Sequence, residues 1–447
     1  MVQLWRRKFL YATGVSAVGA IALKGCAGNP PAGNTGDSSP VATPAVNPGG
    51  GDSVETATVR LGYIPIFEAA PLIIAQEKGF FTKYGMIGVQ VLKQASWGSV
   101  REIWWSGKPV VASRVPNFRC RCLIWIGEGK ITTQNQKIPM YVLLQTSTQG
   151  NGIAISNKHA GKNIHLDTSK AKAYFNELKA KNTPFTADYT FPAANQELWI
   201  RYWLAAGGIN PDTDVKLIVV PPAQTVADMK TGAMDGFSTG DPWPYRILAE
   251  NIGFMGALTA QIWPDHPEEY FAMRADWVDK HPKATKALLK GIMEAQQWCD
   301  KPENRKELAE ILAKREYFNL AIDILSPPLS GNYTMGDGQT SINDVKQGPL
   351  FWKDAKGSVS YPYKSHDTWF LTENVRWGML PANTDIKALV DKTNREDLWK
   401  EAAKEAGIVE AEIPKESTRG VETFFDGIKF DSTDPAAYLK SLKIKKV

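Results

Sequence analysis

The side chains of widest chemical reach in this sequence are four cysteines and five histidines. Cys120 and Cys122 stand two positions apart with no histidine beside them, so they do not read as a zinc site, and together with Cys299 they make no disulfide framework. His159, His165, His266, His281 and His366 are scattered, each with proline, lysine or acidic neighbours of the kind found in loops and helix starts. No GxSxG elbow, no GxxxxGK[ST] phosphate loop and no HExxH helix occurs. The chain therefore reads as a non-enzyme with no cofactor and no metal. The remaining cysteine, Cys26, has a different chemistry available to it, which its surroundings define.

Arg6, Arg7 and Lys8 precede an apolar stretch from Phe9 to about Leu23, and Cys26 follows a small residue. That is a targeting segment. The paired arginines before Phe9 and Leu10 look like a twin-arginine export signal, and Leu23-Lys24-Gly25-Cys26 resembles a lipoprotein cleavage site whose cysteine becomes acylated, with Lys24 departing from the small or apolar residue usual there. An uncleaved membrane anchor is the other reading, although the apolar run falls short of the roughly 20 residues that span a bilayer. Residues 1–26 are thus read as a signal peptide with its lipoprotein cysteine. Residues 27–55, rich in Gly, Pro and Ser, cannot bury enough apolar surface to offset their ordering entropy and read as a flexible tether. The expected location is the periplasmic side of the inner membrane, with the chain lipid-anchored to the bilayer. A net charge of +5 from 52 basic and 47 acidic residues, without a basic run, gives no nucleic-acid patch.

Beyond the tether the pattern alternates strands and helices. Residues 56–66 read as an entering strand, and Phe67 to Gly79 as a helix that begins directly after it. Such a β-to-α corner presents unpaired helix N–H groups where ligands of open α/β sheets sit. Val89–Leu92 is a second strand leading to Trp97. Met140–Leu144 is a strand, and Gln149-Gly150-Asn151-Gly152 makes a polar, glycine-rich bend into another. Trp199–Ala206 is helical, Val215–Val220 a strand, Pro222–Lys230 a helix and Met234–Phe237 a strand. This order predicts mostly parallel α/β sheets in two lobes, because some 390 residues exceed one core. The boundaries read as lobe 1 about 56–148 plus 250–447 and lobe 2 about 149–249. Residues 281–299 and 395–406 are amphipathic packing helices, with Asn394 as the N-cap of the second. The aromatic-rich stretch 351–378 reads as an irregular surface wrap.

Long blocks then carry a resemblance: LGYIPIFEAAPLIIAQEKGFFTKYGM (61–86), STQGNGIAISNKH (147–159), residues 198–247 ending in STGDPWPYRI, LTAQIWPDHPEEY (258–270) and YPYKSHDTWFLTENVRWG (361–378). They resemble the cyanobacterial nitrate-binding lipoproteins of nitrate/nitrite ABC transporters, close relatives of the bicarbonate-binding lipoproteins. The resemblance implies a two-lobed type II periplasmic-binding-protein fold that captures nitrate or nitrite and delivers it to a transmembrane permease. The alternatives are a bicarbonate receptor with calcium, or a sensor or interaction lipoprotein that has lost ligand binding. The ligand residues it implies are Trp97, Gln149 and Gly240. Gln149 offers two N–H groups and Trp97 an indole N–H or a ring face. Backbone N–H groups near Gly240 and near Phe67–Ala69 would complete an oxyanion cage.

Two departures stand out. TFPAANQ (190–196) lacks the family's histidine, which falls on Ala193, so Asn195 or Gln196 must compensate, or affinity or ligand differs. Asp265, Glu268 and Glu269 form an acidic group with no place in simple anion capture, read as a solvated loop or as carboxylates for calcium. Residues about 100–126, in VREIWWSGKPVVASRVPNFRCRCLIWIGEG (100–129), keep the family's length but lose its identity, as a compensated pair of frame changes would produce. Lys108 and Pro109 replace a glycine-rich bend there, which implies weakened nitrate binding.

Overall fold

A computed structural model describes residues 53–96, 112–114, 120–129, 132–192 and 194–447, and residues from Gly50 onward form one compact unit. Trp97, Ala193, Arg6, Arg7, Cys26 and most of the stretch 100–126 lie outside the described residues. Among the described residues no helix is long and apolar enough to cross a membrane.

The first lobe is built on β1 (Thr58–Tyr63), flanked in parallel by β2 (Gly88–Lys93) and β3 (Ala112–Arg114). The apolar end of β1 turns at Pro65 into a 3-10 turn, Phe67–Ala69, that runs straight into the helix Ala70–Glu77. Pro71 sits in the first turn of that helix, where a missing N–H costs nothing. From β4 (Met140–Thr148) the chain crosses to the second lobe through Gln149 and Gly150, both with positive φ.

That lobe carries a five-stranded sheet in the order β7-β6-β8-β5-β9, formed by β5 (Asn151–Ser156), β6 (Thr186–Tyr189), β7 (Lys216–Val219), β8 (Gly236–Gly240) and β9 (Gly253–Leu258). β6, β7 and β8 are parallel, but β5 runs antiparallel to both of its neighbours. The sheet is thus mixed where a mostly parallel one was expected: β5 arrives directly from β4 rather than through a crossover helix. β9 belongs to it although it lies beyond residue 249. β10 (Pro267–Arg274) then returns to pair antiparallel with β4, giving the two strands that join the lobes.

The apolar cores follow this division. One cluster packs Leu61, Ile73, Leu288 and Trp399 in the first lobe, and a second packs Ile155, Trp199, Trp203 and Trp369 in the other. A third joins them, with Ile64, Ile66 and Tyr270 against Phe237, Val226 and Trp243. The helix Pro282–Asp300 forms as its period indicates. The helix Glu396–Glu405 has Arg395 at its N-cap, and Asn394 one residue earlier accepts the Glu396 N–H at 3.1 Å.

The stretch 351–378 departs from expectation. Lys364–Arg376 is a 13-residue helix, buried on nearly every side, and not a surface wrap. A helix buried all round shows no amphipathic stripe, which is why its period was silent. Its Trp369 stacks on Trp199 at 5.3 Å between ring centroids, extending the second lobe's core.

Candidate functional site

The two crossing strands bring the bend at 149–151, the end of β8 and the start of β10 to one place between the lobes. Asn151 opens β5 directly opposite Gly240 in the β5–β8 register. Gln149 adopts φ 58 and donates its backbone N–H to the His266 carbonyl at 3.2 Å. A left-handed glutamine costs about 1 kcal/mol and persists only where neighbours hold it. Its side chain is buried, and its Nε2 has no hydrogen-bond partner among the described residues.

Gly240 acts through what it lacks. A Cβ there would lie 3.0 Å from Glu68 Oε1 and 3.1 Å from Ile66 Cβ, so the glycine makes room for a carboxylate arriving from the first lobe. The backbone N–H groups expected to form an oxyanion cage are in use: Phe67 N–H donates to the Asp241 carbonyl at 2.9 Å, Ala69 N–H to Ile66 at 3.0 Å and Asp241 N–H to Gly150 at 2.7 Å. Of these bonds only the first runs between the lobes; the other two lie within the first-lobe turn and within the second lobe.

Glu68, Glu268 and Glu269 are all fully buried, which corrects the reading of 265–269 as a solvated loop. Glu268 and Glu269 lie on β10, whose irregular register beside β4 turns both inward. Asn151 Nδ2 donates to Glu68 Oε1 at 2.9 Å. Gln196 Nε2 lies 3.3 Å from Glu268 Oε1, 3.3 Å from Glu269 Oε1 and 3.4 Å from Asn151 Oδ1. Thr190 fixes that amide by donating its hydroxyl to Gln196 Oε1 at 2.9 Å. Asn195 Nδ2 donates to both the carboxylate and the carbonyl of Glu268. Trp199 Nε1 reaches Glu268 Oε2 at 3.2 Å. His266 Nδ1 faces two acceptors, Pro267 O at 2.9 Å and Glu268 Oε2 at 3.4 Å, so it carries a proton.

Asn195 and Gln196, named only as stand-ins for the missing histidine, therefore sit at the centre with Thr190. The resemblance pointed to them through the departure at Ala193, and they open the helix Asn195–Ala206. Glu68 was missed: one acidic residue inside an apolar run gives no pattern.

Burial holds the Glu68 carboxyl well above the usual carboxylate range, and repulsion from Glu268, Glu269 and Asp241 adds to it. A protonated Glu68 presents an O–H, and its Oε2 has no hydrogen-bond partner among the described residues. Burial likewise raises Asp241 from 3.8 to about 7, opposed by a hydrogen bond from Tyr333. The folded protein then binds a proton at Asp241 that the unfolded chain has lost, so this group's contribution to stability is complete below pH 3.8 and falls as pH rises to about 7. Asp241→Asn is expected to flatten the stability profile over that window, seen as urea midpoints compared with wild type between pH 4 and 7.5. An unchanged slope refutes the assignment.

The oxygen donors here are of the kind that hard divalent cations take, but no three or more acidic or histidine side chains converge on one point among the described residues.

Two α/β lobes joined by crossing strands and closed on buried polar side chains define a periplasmic-type solute-binding protein of type II fold. The chain belongs to the NMT1-like family, whose model matches residues 52–313. It is 51% identical to the bicarbonate-binding protein CmpA of Synechococcus elongatus over 99% of this chain and 98% of that one. It is 46% identical to the nitrate/nitrite binding protein NrtA of Synechocystis sp., over 99% of this chain and 98% of that protein. A crystal structure of the periplasmic nitrate-binding protein NrtA from Synechocystis matches with a TM-score of 0.82, covering 88% of this chain and 100% of that one. The nitrate import ATP-binding protein NrtC of Synechocystis sp. is 32% identical over 88% of this chain and 56% of its own length. The relatives at near full length are binding proteins and not enzymes.

Proposed function

We propose that this chain is the extracytoplasmic receptor of an ABC importer, exported by its signal, acylated at Cys26 on the periplasmic side of the inner membrane and tethered through 27–55. It captures nitrate or nitrite, or in the second reading bicarbonate, and passes the anion to a transmembrane permease, without catalysis. The supporting observation is the buried group of Gln149, Asn151, Gln196 and the three glutamates between the lobes, in which Gln149 Nε2 and Glu68 Oε2 have no hydrogen-bond partner among the described residues. Trp97, Gln149 and Gly240 belong to that site in this reading. The lobes divide near 148 and again just past β9.

Nitrate or nitrite is supported by the nitrate-binding relative and its matching fold. Nitrate only accepts hydrogen bonds, and Gln149 Nε2 with a protonated Glu68 would serve it. Bicarbonate is favoured by a specific observation, the fully buried Glu268 and Glu269. Bicarbonate carries an O–H that a carboxylate accepts, whereas a carboxylate offers nitrate only repulsion.

Calorimetric titration of the full chain with nitrate, nitrite and bicarbonate, each with and without calcium, tests the reading. Saturable binding of one of them with Kd below about 100 μM is expected; none for any of the three refutes the receptor. Calcium-dependent binding would assign the cation a place beside the carboxylates. The rewritten stretch 100–126 is expected to weaken capture, and nitrate affinity of about 1 μM or better would contradict that.

A further inference from the structure

We propose that Tyr333 is a positioning residue for anion capture: its phenol holds Asp241, and through Asp241 the closed mouth of the cleft. This rests on the receptor reading. Asp241 ties together the segments that frame the site. Its N–H donates to the carbonyl of Gly150, in the glycine-rich bend, at 2.7 Å. Its carbonyl accepts the N–H of Phe67, at the head of the first-lobe turn that carries Glu68, at 2.9 Å. One residue thus bridges the bend of the second lobe and the corner of the first.

The side chain of Asp241 is fully buried, and the Tyr333 hydroxyl at 2.7 Å is the one donor found for its carboxylate among the described residues. Its other oxygen has none. Tyr333 comes from neither sheet. It ends β11 (Asn332–Tyr333), which pairs antiparallel with β12 (Ile342–Asn343) in a small hairpin. Gly331 opens the hairpin at φ 72, where a Cβ would fall 2.0 Å from the Asp344 carbonyl oxygen, so the turn admits only glycine.

The hairpin is stapled to the second lobe at several points. Met255 N–H donates to Met335 O at 2.8 Å, and Gln339 Nε2 to Met255 O at 2.6 Å. Asp337 meets Gly161 N–H at 2.7 Å and His165 Nε2 at 2.9 Å. A fully buried phenol is therefore delivered at fixed height to one carboxylate. Without it that carboxylate is buried with no donor, and opening the cleft, which returns it to water, becomes the easier course.

Tyr333→Phe keeps the ring and removes only the hydroxyl. In the full chain at a pH of about 8.5, where Asp241 is ionised, stopped-flow measurement with bicarbonate or nitrate, whichever the wild type binds, is expected to show dissociation about tenfold faster with association unchanged. Amide exchange at Phe67 in the anion-free protein is expected to quicken as well. In an Asp241→Asn background the same substitution is expected to change either readout less than about twofold, because a neutral amide leaves no buried charge without a donor. A merely packed tyrosine would show no such coupling. The proposal is overturned if Tyr333→Phe matches wild type in dissociation and in Phe67 exchange, or if its effects add in full to those of Asp241→Asn. Should the wild type bind no oxyanion, the receptor reading fails separately, and Phe67 exchange with its double-mutant comparison still decides the role of Tyr333.

Discussion

Glu268→Gln is expected to lower bicarbonate affinity roughly 100-fold while leaving nitrate affinity unchanged or raised. The carboxylate accepts from Asn195 and Gln196 at one oxygen and faces Trp199 Nε1 and His266 Nδ1 at the other. An amide accepts at one end only. Its NH2 would oppose donors, so half of the arrangement around Glu268 is lost, at about 1.5–3 kcal/mol for each hydrogen bond to a charged group. The same change removes negative charge from a fully buried site. That loss harms a solute whose O–H needs an acceptor and relieves one that only accepts. Calorimetric titration of the variant with both anions reads the two effects. Equal loss for both would mean that Glu268 acts only as scaffolding, and the carboxylate argument for bicarbonate would fall with it.

Arg419→Met is expected to destabilise the folded region by about 3–5 kcal/mol, the scale for stranding one partner of a buried ion pair. Arg419 Nη2 pairs with Asp354, and the two side chains are 1% and 0% exposed. The methionine fills the volume of the arginine stem but leaves Asp354 without its cation, beside Asp265, whose own carboxyl is already raised by burial and by Asp354. Urea unfolding followed by tryptophan fluorescence would show the lowered midpoint. The double variant Asp354→Leu/Arg419→Met is expected to recover most of it, because an apolar pair carries no desolvation penalty. A single variant within about 1 kcal/mol of wild type would show the pair to be dispensable. The pair fastens the hairpin-like segment at 353–358 to the loop before Glu422.

Much of the molecule was readable before any contact was known. The strand running into Phe67 is a local pattern. So are the strand periods at β1, β2, β4 and β7 and the stripe on Pro282–Asp300. They survive in sequence because each depends on neighbours within a few positions. The glycine-rich bend at 149–152 is a local pattern too, whereas Gln149 itself was marked out only by the family resemblance.

Other features left no such trace. The burial of Glu268 and Glu269 depends on Asn195 and Gln196, more than 70 positions away, and Glu68 meets Asn151 across 83 positions. An acidic pair beside proline and histidine looks like a wet loop until those partners cover it. The helix Lys364–Arg376 was hidden because burial on all sides erases the period that announces a helix. The antiparallel entry of β5 follows from how β4 and β10 cross between the lobes, which no local signal encodes. The chain's order of residues thus specifies its strands and helices and its lineage. Which polar groups stand dry in the cleft, and whether they face one another as donors or as charges, is settled by the packing of the lobes, because desolvation is a property of the assembled fold and not of any short segment.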